Sequence, residues 1–138
     1  MGAKLLYLPT AEWLDVCAAH ADLSGAHLAA VRVGNDTQAA VGVEEGEVVI
    51  IDVSREPSEG QYAGVETAAG FWLGYVSHQG GGVHVEPVCG CGGCRVEEFP
   101  SDAVVSWGPV VGICGRDGRG CRAANITKAG SRLRQLIW

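Results

Sequence analysis

The sequence has few charged residues, and it has no long apolar run. Only 19% of its 138 residues are charged and 47% are hydrophobic, which excludes a disordered polar chain. The longest apolar runs are short, such as residues 48–51, so no segment can span a bilayer. Residues 1–9 hold an apolar run too short for a signal peptide, and Leu6 stands where a myristoylation motif needs Ser or Thr. We therefore expect a protein of the cytoplasm, or of a particle assembled there, with no membrane partner.

The sequence also lacks the motifs of several enzyme classes. Residues 112–120 are rich in glycine but do not contain the G-x4-G-K-[ST] phosphate loop. Cys17 and His20 lie three residues apart on a predicted helix, where they could pair as nucleophile and base. A single cysteine on the apolar face of a helix is more typical of a small core residue, which is the interpretation we prefer.

Turn residues and β-branched runs predict an α+β fold: a small antiparallel sheet with two or three helices and a cysteine-rich, zinc-knuckle-like hairpin. The length fits a single domain, residues 1–138. Residues 1–82 would form a core of helix and meander, and residues 83–138 would hold the cysteine-rich metal-site region and a basic C-terminal helix. The predicted strands are residues 5–8, 28–33, 37–43, 47–53, 83–88, 95–99 and 103–113. The predicted helices are residues 11–20, residues 64–77 and a helix that begins near residue 127.

Five of the six cysteines lie between residues 89 and 121, among glycines that permit tight turns. They form Cys-x-Cys-x2-Cys, followed after nineteen residues by Cys-x6-Cys. Structural zinc takes four cysteine or histidine ligands in a tetrahedron, and a turn with two close thiolates supplies half of such a shell. The cofactor we predict is zinc. Its preferred ligands are Cys91, Cys94, Cys114 and Cys121, with Cys89 and His84 as variants.

The x6 spacing between Cys114 and Cys121 exceeds the usual x2–4 of zinc ligands, so other cysteine chemistry stays open. Disulfides rank first among the alternatives, and they become more favourable if the protein works outside the cell. An iron–sulfur cluster ranks second, although the spacing matches neither common ferredoxin pattern. A redox pair of Cys91 and Cys94 ranks third, because no βαβ pattern surrounds it.

One fragment has a catalytic pattern. His84 and Glu86 form the H-x-E of zinc deaminases, and a Cys-x2-Cys pair follows. In the deaminases, the glutamate and the cysteine pair begin separate helices, and the short predicted hairpin here cannot reproduce that arrangement. We therefore expect His84 and Glu86 to share one face of a strand and to alternate with Val83 and Val85.

Charge is divided unevenly along the chain. Residues 1–102 carry 15 acidic and 4 basic residues, whereas residues 103–138 carry 1 acidic and 6 basic residues. The basic part would either fold back onto its own acidic body or contact an acidic protein surface or phosphate. The candidate partner-binding residues are Arg116, Arg119, Arg122, Arg132, Arg134 and Trp138.

These patterns predict a non-catalytic, zinc-stabilised structural or adaptor protein that docks in a larger assembly, either a cellular complex or a virion. The apolar residues 136–138, which end in Trp138, favour a protein partner or a homo-oligomer, because aromatic residues are common interface anchors. A nucleic-acid-binding zinc module that uses the basic C-terminal segment is the second hypothesis, and the acidic body disfavours it. A zinc-dependent hydrolase or deaminase is the third.

Overall fold

A computed structural model describes residues 3–7, 28–89, 95–117, 120, 122–128 and 131–133. The strands are β1 (Ala3–Tyr7), β2 (Leu28–Val33), β3 (Val48–Asp52), β4 (Gln61–Thr67), β5 (Gly70–Gln79), β6 (Gly82–Glu86), β7 (Glu97–Pro100), β8 (Val104–Cys114), β9 (Arg122–Ile126) and β10 (Ser131–Leu133). Two 3₁₀ turns span Ala39–Val41 and Ser101–Ala103. These ranges contain no α-helix. The predicted α+β class is therefore wrong, and the described chain is an antiparallel β structure.

The strands lie in the order β1-β2-β3-β8-β4-β5-β6-β7, with β9 paired to β8 and β10 paired to β9. Each neighbouring pair is antiparallel. The predicted strands at 28–33 and 47–53 are confirmed as β2 and β3, where β-branched residues fit a pleated surface and all five residues of β3 are buried. The predicted hairpin is confirmed as β6 and β7, in which Val83 lies opposite Phe99.

Strand β8 joins two parts of the sheet. Its first half pairs with β4, where Trp107 lies opposite Val65, and its second half pairs with β3, where Gly112 lies opposite Ile50. Gly108 and Pro109 lie opposite Gly64 and Ala63, where the pairing of β8 with β4 ends. The pairing with β3 begins at Val110 and has a register shift between Val110 and Gly112.

The core lies between the apolar faces of strands from both parts. Its largest cluster includes Val31, Val49, Leu73 and Ile113, with Tyr62 as the largest fully buried side chain. The Tyr62 hydroxyl donates a hydrogen bond of 2.7 Å to Oε1 of Gln38, which is itself buried. Burial raises the pKa of the Tyr62 hydroxyl, so the group stays protonated and remains a donor. The buried hydrogen bond between Tyr62 and Gln38 connects β4 to the segment before the first 3₁₀ turn.

The helix predicted for residues 64–77 is wrong. That segment forms the end of β4, a turn at residues 68–69 and most of β5. Both faces of β4 are covered, and Tyr62, Ala63, Gly64 and Val65 are all buried, so the strand lacks the alternation that identifies a half-exposed strand. Because this alternation is missing, the apolar residues of β4 and β5 together show the i, i+3, i+4 spacing that is typical of a helix.

Two other predicted elements are corrected. The strand expected at residues 37–43 is a turn that contains the 3₁₀ segment Ala39–Val41. The helix expected from about residue 127 is wrong, because Thr127 bridges Gln61 and the chain then continues into β10, antiparallel to β9. The predicted N-terminal helix at residues 11–20, with Cys17, lies outside the described residues.

The zinc-knuckle-like hairpin of the predicted fold is also not found. Its strands are present, but the described ranges contain no group of three or more His, Cys, Asp and Glu side chains arranged to hold a metal ion. Residues 90–94, at its tip, lie outside those ranges.

Candidate docking surface

Three of the predicted metal ligands and variants, Cys89, Cys114 and His84, lie in the described part of the chain. Cys89 follows β6, and Cys114 is the fully buried last residue of β8, among Val48, Ile50 and Val111. Both cysteines are disulfide-bonded. Zinc binds thiolates, so a disulfide and a zinc ligand are exclusive states of the same sulfur. The other preferred ligands, Cys91, Cys94 and Cys121, lie outside the described residues.

Measuring bound metal and free thiols distinguishes zinc-bound cysteines from disulfide-bonded cysteines. Zinc remains a prediction. If zinc binds, protein purified under reducing conditions carries about one zinc per chain, and Cys114→Ser releases it. If the disulfides persist, protein purified without reductant has no zinc, and the thiols of Cys89 and Cys114 react with alkylating reagent only after reduction and unfolding. Mass spectrometry of alkylated peptides, with elemental analysis, measures both outcomes. Zinc bound at full occupancy to a protein whose Cys114 stays disulfide-bonded would contradict the predicted ligand set.

His84 and Glu86 occupy the positions expected from the strand pattern. They alternate on β6 with Val83 and Val85, which are buried on the opposite face. Nδ1 of His84 lies 3.2 Å from Oε1 of Glu98 on the neighbouring strand β7. His84 thus makes a cross-strand contact, and Glu86 pairs with Lys128, which follows β9, at 2.7 Å.

Arg116 and Arg122, two arginines of the basic segment, contact the protein's own backbone. Nε of Arg116 donates to the carbonyl of Glu45, and Nη2 of Arg122 donates to the carbonyl of Gly42. Arg122 also lies 3.7 Å from the Glu47 carboxylate. This part of the segment therefore folds back onto the acidic body, one of the two arrangements expected from the charge pattern. Arg132 lies in β10, and the remaining candidates, Arg119, Arg134 and Trp138, lie outside the described residues.

A groove lies beside the first half of β8, and we call it the Trp107 groove. Its volume is about 310 Å³. It is lined by Glu56, His78, Val83, Ser101, Val104, Val105, Ser106 and Trp107. Val105 is 68% exposed, the largest exposure among the large hydrophobic residues described. Val104 and Trp107 are half-buried beside it, so the groove combines one exposed apolar side chain with two partly covered ones, a composition that suits an interaction site.

The acidic wall of the groove is held by His78. One ring nitrogen of His78 lies 3.1 Å from Oε1 of Glu56, and the other lies 2.8 Å from Oε1 of Glu59. The His78 ring also meets the Trp107 ring edge-on, with centroids 4.9 Å apart. The backbone N–H and the ring of His78 hold the pKa of the Glu59 carboxyl below its usual value. This wall therefore carries negative charge beside an aromatic surface.

The loop that supplies Glu56 and Glu59 is fixed at its base. Asp52 is 4% exposed, and its carboxylate accepts hydrogen bonds from the backbone and hydroxyl of Ser54 and from Nε of Arg55. Burial acts to raise the pKa of Asp52, but the bonds from Ser54 and Arg55 outweigh it and the pKa lies below its usual value. Because Pro57 is buried as well, the loop keeps a defined shape beside β8.

A second, smaller depression lies on the other face of the sheet. Ser106 and Trp107 line both depressions, and their side chains point to opposite faces because they are consecutive residues of β8. Ser106 lies opposite Glu66, and Trp107 lies opposite Val65. The second depression is mainly apolar, and its lining includes Val53, Phe71 and Glu66. Sequence reasoning missed the Trp107 groove, whose β8 residues flank a register shift between Val104 and Ser106.

Comparison with known proteins adds no relative. No protein-family model matches the chain, and a search of curated proteins found no significant match. In the part of the chain that the structure describes, no helix has the length and hydrophobicity needed to cross a membrane. Function is therefore inferred from the surface of the molecule alone.

Proposed function

We propose that the protein is a non-catalytic structural or adaptor protein that docks in a larger assembly through the Trp107 groove. The observation that carries the proposal is the 68% exposure of Val105, which lines the groove together with Trp107. An apolar side chain left in water at a concave surface gains free energy when a partner covers it, and interface anchors are typically aliphatic or aromatic groups of this kind.

The charged groups around the groove support docking over chemistry. His78 contacts two carboxylates, and Asp52 is bonded to Ser54 and Arg55. These contacts fix the shape of the groove wall, as a preformed binding surface requires. The acidic wall also favours a partner with basic residues, because complementary charge guides association and selects partners.

The proposal predicts that the protein from its native source migrates in a complex much larger than its own 14.3 kDa. Val105→Glu should move it to the monomer fraction, because a buried unpaired charge opposes docking. Val96→Glu is the matched control, since Val96 is 49% exposed and does not line the groove. Size fractionation of native extracts, with detection of a tagged copy, measures the difference.

Two results would contradict the proposal. If the unmodified protein migrates as a monomer in native extracts, it does not work within an assembly. If the complex forms equally well with Val105→Glu, the protein docks through another surface. Thermal unfolding of the purified variants provides the fold control, because an exposed substitution should change stability by less than about 0.5 kcal/mol.

A further inference from the structure

We propose that the partner in the Trp107 groove is the basic, apolar segment of residues 134–138 of a second copy of this chain. This inference rests on the proposed function and names its partner. The copies would associate head to tail, with the segment of one protomer seated against β8 of the next. Three features of the described residues support this choice: the charge of the groove, its size and apolar rim, and the direction of β10.

Charge complementarity is the first feature. Glu56 lines the groove and its side chain is 69% exposed, and Glu59, the second carboxylate that contacts His78, is 63% exposed. The nearby cation Arg55 is paired with Asp52 at 2.8 Å. The groove therefore presents acidic groups, and the segment contributes Arg134.

An arginine suits this groove better than a lysine. A guanidinium is planar, stacks on an aromatic ring and forms two parallel hydrogen bonds with a carboxylate. Trp107 and Glu56 line the same groove and supply such a ring and such a carboxylate. Since His78 contacts Glu56 through Oε1, the carboxylate is also held in place for a second donor.

The apolar rim is the second feature. Val105 lines the groove and is 68% exposed, and Val104 and Trp107 beside it are half-buried. Residues 136–138 of the segment are Leu-Ile-Trp. A volume of about 310 Å³ is at the small end of the range of binding pockets, so it admits one or two anchor side chains rather than a folded element. A short extended segment is therefore a suitable occupant.

The direction of β10 is the third feature, and it favours a second copy. β9 is antiparallel to β8, and β10 is antiparallel to β9, so β10 runs in the same direction as β8. Leu133 lies opposite Ala124, next to the residue that pairs with Gly112. Strand β10 thus delivers the chain toward the Cys114 end of β8, away from Trp107. The direction of β10 does not prevent the segment from reaching the groove of a neighbouring protomer.

Head-to-tail contact joins two different surfaces, so each protomer keeps one free groove and one free segment after pairing. Such heterologous contacts produce closed rings when the rotation between copies closes, and open chains when it does not. This property separates the proposal from a face-to-face dimer, in which the groove would be used twice and association would stop at two copies.

Two variants of the purified full-length chain, one with a defective groove and one with a defective segment, test the proposal. Analytical ultracentrifugation measures the mass of each variant alone and of their mixture. The groove variant is Val105→Glu, and the segment variant replaces Leu136, Ile137 and Trp138 with serine. The unmodified protein should give masses that increase with concentration in multiples of 14.3 kDa, and each variant alone should remain a monomer. Their mixture should form a one-to-one complex and nothing larger, because only one working groove meets one working segment. Val96→Glu should associate like the unmodified protein.

A charge exchange keeps the test decisive if the serine variant fails to fold, which far-UV circular dichroism would reveal. Glu56→Lys and Arg134→Glu should each weaken association at least about tenfold, and both changes in one chain should restore it. The inference is overturned if the unmodified protein stays monomeric at every concentration, if the two variants do not associate when mixed, or if the exchange restores nothing. In those cases a large complex in native extracts would still support the proposed function, with a different partner in the groove.

Discussion

Gly108→Ala is expected to destabilise the protein by at least about 3 kcal/mol, the upper part of the range for an overpacked site. A β-carbon at this position would overlap the backbone carbonyl oxygen of Asp52 and lie 2.6 Å from its carbonyl carbon. The atoms in the way belong to backbone, so they cannot turn aside as a flexible side chain would. β8 would have to separate from the end of β3 to make room. Chemical denaturation followed by circular dichroism measures the loss.

Gly112→Ala is the matched control, because it lies on the same strand and pairs with β3. A β-carbon there would meet Ile50 at 3.5 Å and the Arg122 carbonyl oxygen at 3.6 Å, which are ordinary contact distances. The change should therefore alter stability by less than about 1 kcal/mol. Equal losses for Gly108→Ala and Gly112→Ala would show that close approach of β8 to Asp52 does not decide the outcome.

Tyr62→Phe is expected to cost about 1–3 kcal/mol, even though it removes a single oxygen atom. Tyr62 is fully buried and its hydroxyl donates to Gln38, which is only 3% exposed. The amide of Gln38 donates in turn to Oγ1 of Thr37 at 3.1 Å. Without the Tyr62 hydroxyl, the Gln38 carbonyl oxygen would be left in the core without this donor, which is more costly than the loss of the bond itself.

A double-mutant cycle isolates that pair. Gln38→Leu removes the acceptor of this hydrogen bond. In the double variant Gln38→Leu/Tyr62→Phe, both the donor and the acceptor are absent, so neither is buried without its partner. The double variant should therefore lose less stability than the two single losses added together, with a coupling of about 0.5–3 kcal/mol. Urea midpoints at one fixed pH provide the four measurements. Additive losses would mean that the Tyr62–Gln38 bond makes no net contribution.

Part of the fold could be predicted because its strands have a clear local pattern. Residues 47–53 are rich in Val and Ile, and residues 83–88 alternate apolar with polar side chains, so both were correctly predicted as strands. Residues 64–77 were misassigned because both faces of β4 are covered, which removes the alternation. Gly74 gave a further signal for close strand packing, since a β-carbon there would overlap the Glu86 carbonyl oxygen.

The groove could not be predicted because its walls come from distant parts of the chain. Glu56 lies in the loop after β3, His78 lies near the end of β5, and Trp107 lies on β8. No spacing in the sequence reveals that these three side chains meet. The positions of the basic residues could not be predicted either, since the carbonyl groups that Arg116 and Arg122 contact belong to Glu45 and Gly42, more than 70 residues earlier in the chain.

The central position of β8 has a consequence for synthesis of the chain. During translation β2 to β7 leave the ribosome before β8, yet in the part of the chain that the structure describes, β8 is the strand that pairs with both β3 and β4. The apolar faces of β3 and β4 remain partly uncovered until β8 has been synthesised. Contacts such as Ile50 with Gly112 are distant in sequence, which makes folding slow. Nascent chains that stop before residue 104 would expose two unjoined sheet edges and be prone to aggregate. The first hundred residues lack the strand that pairs with both β3 and β4, so we expect a stable fold to require the chain through β8.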